Sequence, residues 1–342
     1  MLTSPVLMES LLASLAVTLF VGVLAVLAQW SRESRRAEIS FWIVLLFASL
    51  LVLGAGALLG AARLSGEVPA SLYPPGLLAL TAGAVLAAGI VGVALCVPTL
   101  LKIVGRRPSS FVTDPPVMLA LWLFAMVLLT NNLVGILGFD QLEESNAFSL
   151  GTGGRLPVGL LLASQLPFVG VAVLGVGAGV RRGLRETLVR LGYGPLGAKG
   201  IGVVAAFIFG AFAVSLGTDY LFRELQPELY REVGEISGTL FDPSGMGVGA
   251  AVLFALLIGV GAGLGEETLF RGAVQPALGI FATSVLFASM HVQYGPSLLL
   301  GYIFVLSLGL GYLRRRFNTT ASFLAHAGYN FVSVMAAYFF SA

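Results

Sequence analysis

Two adjacent glutamates, two histidines and an asparagine are the residues of this chain whose types and spacing could do hydrolytic chemistry. They stand in Gly265-Glu266-Glu267-Thr268-Leu269-Phe270-Arg271, Phe287-Ala288-Ser289-Met290-His291 and His326-Ala327-Gly328-Tyr329-Asn330. His291 and His326 are the chain's only histidines. Helical residues four apart share a face, so Glu267 can pair with Arg271, and His326 and Asn330 can reach one place. Glu266 points about 100° away from Glu267 and is left without that cation, which is what a water-activating base needs. A carboxylate and an imidazole at one level can hold a water or a metal and deprotonate the water. The second histidine and the asparagine can donate hydrogen bonds to the oxyanion of an attacked amide.

The elements that must position these residues follow from composition. The chain has 342 residues, 57% hydrophobic and 11% charged. Soluble domains carry roughly 25% charged residues, and a soluble globule this apolar would expose large sticking patches. Intrinsic disorder is excluded by the same apolarity. The expected fold class is all-α, a polytopic transmembrane helix bundle of about ten spanning helices, because a bilayer core asks for about 20 apolar residues per helix. The candidate spans are Val6–Gln29, Phe41–Ala62, Leu77–Val104, Val117–Phe139, Val158–Val180, Gly200–Leu216, Gly247–Leu278, Ile280–Val292, Ser297–Leu313 and Ala321–Phe339. Both histidines then fall within helices. The first span lacks a basic residue before its apolar run and is long for a signal peptide. One cysteine, Cys96, supports neither a disulfide framework nor a cysteine metal site.

Charge sets an orientation. Segments after the first, third, fifth and ninth spans hold 14 of the basic residues, among them Arg32, Arg35, Arg36, Lys102, Arg106, Arg107, Lys199 and Arg314–Arg316. The opposite side holds Arg63, Arg155, Arg223 and Arg231. That bias places both termini outside and the basic loops in the cytoplasm. Arg182–Leu191, with Leu184, Leu188 and Leu191 on one face, reads as an amphipathic helix on the cytoplasmic interface. Asp219–Asp242, rich in glutamate, reads as an outer solvated loop. Asn131, Asn132, Ser164 and Gln165 read as packing contacts between helices, and Pro167 as a kink. The net charge of +2 gives no footprint for nucleic acid.

Depth links the polar residues. If the chain turns near Leu278–Gly279, Glu266 lies 12 residues before the turn and His291 12 after it. At about 1.5 Å per residue both sit roughly 18 Å from one membrane side. His326 lies 10 residues past Arg316, or roughly 15 Å in. Ionisable side chains are costly at such depth and imply function. Other protease designs fit poorly: there is no H-E-x-x-H, no intramembrane aspartate pair, and Ser244 lies far from either histidine.

At these residues the chain resembles the CPBP family, the CAAX prenyl protease and Abi (bacteriocin-processing) intramembrane proteases. The pattern E-E-x-x-x-R, F-x-x-x-H and H-x-x-x-N matches Glu266, Glu267 and Arg271, then Phe287 and His291, then His326 and Asn330. The likeness runs over about Val180–Phe340 and includes Glu186–Gly192. It implies that Glu266 and His291 position the attacking water, directly or through a divalent metal such as zinc held by Glu266, His291 and His326. It implies that His326 and Asn330 stabilise the oxyanion, that Glu267 and Arg271 hold the helix, and that Phe287 packs beside His291. Metal-dependent and metal-free schemes both remain open, and no organic cofactor is implied.

The expected organisation is residues 1–180, N-terminal transmembrane helices without an assigned role, and 181–342, the protease core. The expected activity is an intramembrane endopeptidase of a prokaryotic cytoplasmic membrane, its site facing the cytoplasm. Its partners would be lipid and a membrane-embedded or membrane-proximal peptide, with oligomeric state open. The alternatives are a proton- or cation-coupled transporter using Glu266 and the histidines, and a non-catalytic immunity or scaffold protein. No repeat symmetry of the kind common in transporters is apparent.

Overall fold

The computed structural model describes residues 5–66, 68–69, 73–103, 114–144 and 158–340. Arg106, Arg107 and Arg155 lie outside them. Among the described residues the chain is helical, with no β-strand. In order, the helices are α1 (Pro5–Trp30), α2 (Arg35–Ser65), α3 (Pro75–Ile103), α4 (Pro115–Met126), α5 (Leu133–Leu137), α6 (Phe139–Glu144), α7 (Val158–Ala163) and α8 (Leu166–Gly175). There follow α9 (Leu184–Arg190), α10 (Ala198–Leu225), α11 (Pro227–Phe241), α12 (Val248–Glu267), α13 (Gln275–Ser289), α14 (Leu298–Arg316) and α15 (Thr319–Phe340). Two π-helical segments interrupt the α geometry, Val127–Asn132 and Thr268–Val274.

Local signals explain the helix ends. Ser34 and Ser297 cap α2 and α14 by accepting from the backbone N–H groups of Ala37 and Leu300. Proline opens α3, α4 and α11, where its missing N–H costs nothing. Gly66 closes α2 in the left-handed region at φ 70°.

Among the described residues seven helical stretches are long and apolar enough to cross a membrane, not ten. The polytopic all-α bundle stands, and the expected spans differ from the helices at particular places. Val158–Val180 does not form one span, because the helix breaks at Ser164–Gln165 just before Pro167. The two spans expected across Gly247–Val292 lie in one 42-residue apolar stretch, Val248–Ser289, in which two helices meet where Gly279 takes φ 80°, ψ 173°. The turn expected near Leu278–Gly279 is the joint between those two helices. The first expected span, Val6–Gln29, lies within α1, a 26-residue helix. Asp219–Asp242 is corrected as well. Most of it is helix, the end of α10 followed by α11, with Leu229, Tyr230, Val233 and Ile236 at helical spacing between exposed charges.

The chain forms two compact units, Met1–Gly22 with Ser149–Ala288 and Ser297–Ala342, and Val23–Phe148 with Ser289–Pro296. In the second unit α2 and α3 meet through glycine. A Cβ on Gly89 would lie 2.5 Å from the Leu53 backbone, and one on Gly56 2.5 Å from that of Leu86, so only glycine permits this approach. Trp122 Nε1 donates to Ser49 Oγ at 2.9 Å in the same unit. The Asn131 amide donates to the Ser289 carbonyl at 2.7 Å, the packing contact expected of it.

In the first unit α12 packs along α15. A Cβ on Gly259 would lie 2.5 Å from the Ala327 carbonyl oxygen, and one on Gly263 would lie 3.3 Å from the Ala327 side chain. This Gly-x-x-x-Gly face brings the α12 backbone against the turn of α15 that carries His326.

Candidate active site

The end of α12 delivers Glu266 and Glu267, and the π segment that follows delivers Arg271. Glu267 and Arg271 are fully buried. Arg271 Nε lies 3.2 Å from Glu267 Oε2, the i, i+4 pairing the spacing called for. Glu267 Oε1 lies 2.9 Å from His326 Nδ1. A carboxylate beside an arginine is ionised and only accepts, so the imidazole donates through Nδ1–H and keeps Nε2 for another partner. Glu267 therefore holds a cation from its own helix and orients the histidine of α15, a second task that helix spacing alone could not reveal.

The rest of the cluster compensates Arg271. Its Nη2 donates to Ser307 Oγ at 3.0 Å, and its Cζ stands 4.7 Å over the Phe287 ring, a cation–π contact that strengthens when water is excluded. Phe287 also meets Phe270 and His326 edge to face, at 5.1 and 5.9 Å between centroids. Phe287, expected beside His291, thus packs on Arg271 and His326. Ser307 was not singled out by the sequence, since a serine in an apolar helix has no distinguishing local pattern.

The π segment is braced from outside. Its wider winding suits functional sites but disturbs the regular carbonyl pairing. Arg314 Nε donates to the Arg271 carbonyl at 3.1 Å, and Arg190 Nη1 lies 3.4 Å from the Gly272 carbonyl. Tyr193 meets Thr268 Oγ1 at 2.6 Å. The Thr268 hydroxyl donates to the Leu264 carbonyl, so Tyr193 is the donor of that pair. Tyr193 lies outside the spans, and burial raises its phenol above its ordinary range.

Glu266 differs from its neighbour. It is half-buried, and its Oε2 is a buried oxygen without a hydrogen-bond partner. Beside it, a Cβ on Gly265 would lie 2.5 Å from Gln165 Oε1, so the break between α7 and α8 presses against this turn of α12. Asn330 is half-buried on α15, one turn past His326.

His291 is placed differently from expectation. It lies past the last residue of α13, at φ −112°, and leads into the short 3₁₀ turn Val292–Tyr294. It belongs to the second unit, where its ring stacks on Tyr294 at 6.1 Å between centroids. The expectation that both histidines lie within helices is corrected: the chain leaves helical geometry after Ser289, ahead of Gly295, whose φ is 55°.

Among the described residues no group of three or more His, Cys, Asp or Glu stands where it could hold a metal ion.

Residues 248–332 match the family described as Type II CAAX prenyl endopeptidase Rce1-like. The matched stretch covers Glu266, Glu267, Arg271, Phe287, His291, His326 and Asn330. No curated protein and no solved structure matches the chain. The match covers the segment that carries the buried cluster, and over that segment the chain is similar to the type II CAAX prenyl endopeptidases.

Proposed function

We propose that the protein is an intramembrane endopeptidase in which Glu266 activates the attacking water. The observation that carries this reading is the contrast between the two glutamates. Glu267 is ion-paired to Arg271 through one oxygen and hydrogen-bonded to His326 through the other, while Glu266 has a buried oxygen with neither kind of partner. Glu266 is thus the acid of the cluster with an oxygen open to a water.

In the proposed reaction, Glu266 takes a proton from water as the water oxygen bonds to the carbonyl carbon of the scissile peptide. The negative charge that develops on the carbonyl oxygen is met by the Asn330 amide and by Nε2–H of the protonated His326 ring. As the C–N bond breaks, the proton held by Glu266 passes to the departing nitrogen. Glu267 fixes the angle of the His326 ring and favours its protonated form, and Arg271 keeps Glu267 ionised so that it can do so. His291 enters from the family pattern, as a further residue that positions the water. The substrate is a membrane-embedded or membrane-proximal peptide, and the site faces the cytoplasm, a reading supported by the positive-inside bias.

The test is cleavage of prenylated and unmodified C-terminal peptides by the purified full-length protein. Wild type cleaves; Glu266→Gln and His291→Ala fold but do not. Full cleavage by Glu266→Gln would overturn the reading. Metal analysis of wild type beside His291→Ala decides whether a divalent ion takes part.

A further inference from the structure

We infer that the arginine-lined cleft on α9 binds the phosphate headgroup of an anionic phospholipid. The cleft has a volume of about 680 Å³ and is lined by Arg182, Arg185, Glu186, Val189 and Arg190. It lies outside the stretch matched to the protease family, and the proposal is independent of the catalytic reading.

Charge gives the first part of the argument. Three arginines and one glutamate line it; Arg182 and Arg190 each also donate to a backbone carbonyl, of Val176 and Gly272, and Glu186 Oε2 accepts from the Gly183 N–H at 3.0 Å to cap the helix. Guanidinium groups match phosphate oxygens with paired donors and hold their charge at any relevant pH.

Position gives the second. The helix is docked on the protein by Thr187 and Leu191, which are 1% exposed. Thr319 Oγ1 donates to the Leu191 carbonyl, and Leu191 packs on Gly272. The other faces carry Leu184, Leu188 and Val189, which are 78%, 45% and 68% exposed. Val189 lines the cleft and is also exposed, so apolar surface meets the basic cleft at one edge. A free phosphate ion would use only the arginines. A phospholipid uses both, its phosphate in the cleft and its acyl chains along the leucines. The segment lies between two apolar helices, α8 and α10, which holds it close to a membrane face.

Native mass spectrometry of the full-length protein in detergent, with phosphatidylglycerol or phosphatidylcholine added, tests this. Wild type is expected to retain phosphatidylglycerol at least about fivefold over phosphatidylcholine. Arg185→Gln should lower that retention about fivefold, near the effect of one basic residue at an anionic surface, and Arg185→Lys should keep most of it. Leu184→Gln should weaken both lipids. Val189→Glu, a change at an exposed position that adds a carboxylate to the cleft, serves as the second variant if Arg185→Gln does not fold, and should abolish the preference. Equal retention of the two lipids, or unchanged retention in the folded variants, overturns the proposal. So does displacement by excess inorganic phosphate combined with no effect of Leu184→Gln, because the ligand is then the free ion.

Discussion

Adjacent glutamates with opposite surroundings define the site at the scale of single residues. Glu267 cannot be removed cheaply. Glu267→Gln leaves a fully buried guanidinium without its counter-charge and frees the His326 ring, and breaking such a pair costs about 3–5 kcal/mol. The variant is expected to lose thermal stability strongly, read as a lowered midpoint in detergent, together with its activity. Glu266→Gln breaks neither the Glu267–Arg271 ion pair nor the Glu267–His326 hydrogen bond, so its midpoint should fall far less than that of Glu267→Gln, while cleavage falls by about 10²-fold or more. A parallel loss of stability in both variants would contradict the assignment of separate tasks. Asn330→Ala is expected to lower kcat by about 10²–10³-fold with little change in KM, the mark of a group that acts on the transition state.

Helices and their joints set how well those residues are held. The face of α12 that carries Gly259 and Gly263 lies against Ala327, next to His326. Gly259→Val must push the backbones apart. The expected cost is about 1–3 kcal/mol, with a loss of activity larger than the loss of folded protein, because His326 moves relative to Glu267. Tyr193 joins the loop after α9 to the π segment through Thr268. Its phenol is raised by burial, so the folded state binds this proton more tightly than the unfolded chain. The contribution is therefore complete below the ordinary tyrosine value near 10 and is lost as the pH rises from there through the folded value. Thermal midpoints of wild type and Tyr193→Phe should differ by a constant amount through neutral pH and converge above about pH 10.

The molecule as a whole combines a helical unit that carries Glu266, Glu267, Arg271, His326 and Asn330 with a second unit that carries His291. Its topology is testable from charge. Single cysteines placed at Arg315 and at Glu235, in a Cys96→Ser background, are expected to react with a membrane-impermeant maleimide from opposite sides, with Arg315 on the cytoplasmic side. Same-side labelling would overturn the orientation and with it the cytoplasmic opening proposed for the site.

Much of this was legible in the chain itself, because it depends on local periodicity and on the cost of charge in an apolar setting. The all-helical membrane architecture, the break at Leu278–Gly279 and the Glu267–Arg271 pair each follow from residues close in sequence. The helix over Pro227–Phe241 could have been read from Leu229, Tyr230, Val233 and Ile236, had their spacing been weighed above the acidic charge. Tertiary structure alone decided which partner each polar group received. Glu267 and His326 are 59 residues apart, and Arg271 and Ser307 are 36 apart. No local rule predicts contacts that arise only when separate helices pack. The end of α13 before His291 belongs to the same class, since composition marks where a chain can be helical and not where packing stops it. Sequence by itself thus determined which residues were too costly to be idle in a membrane. Tertiary packing decided that one glutamate would be neutralised and the other left with an open oxygen, because only the folded chain sets the distances over which charges compensate.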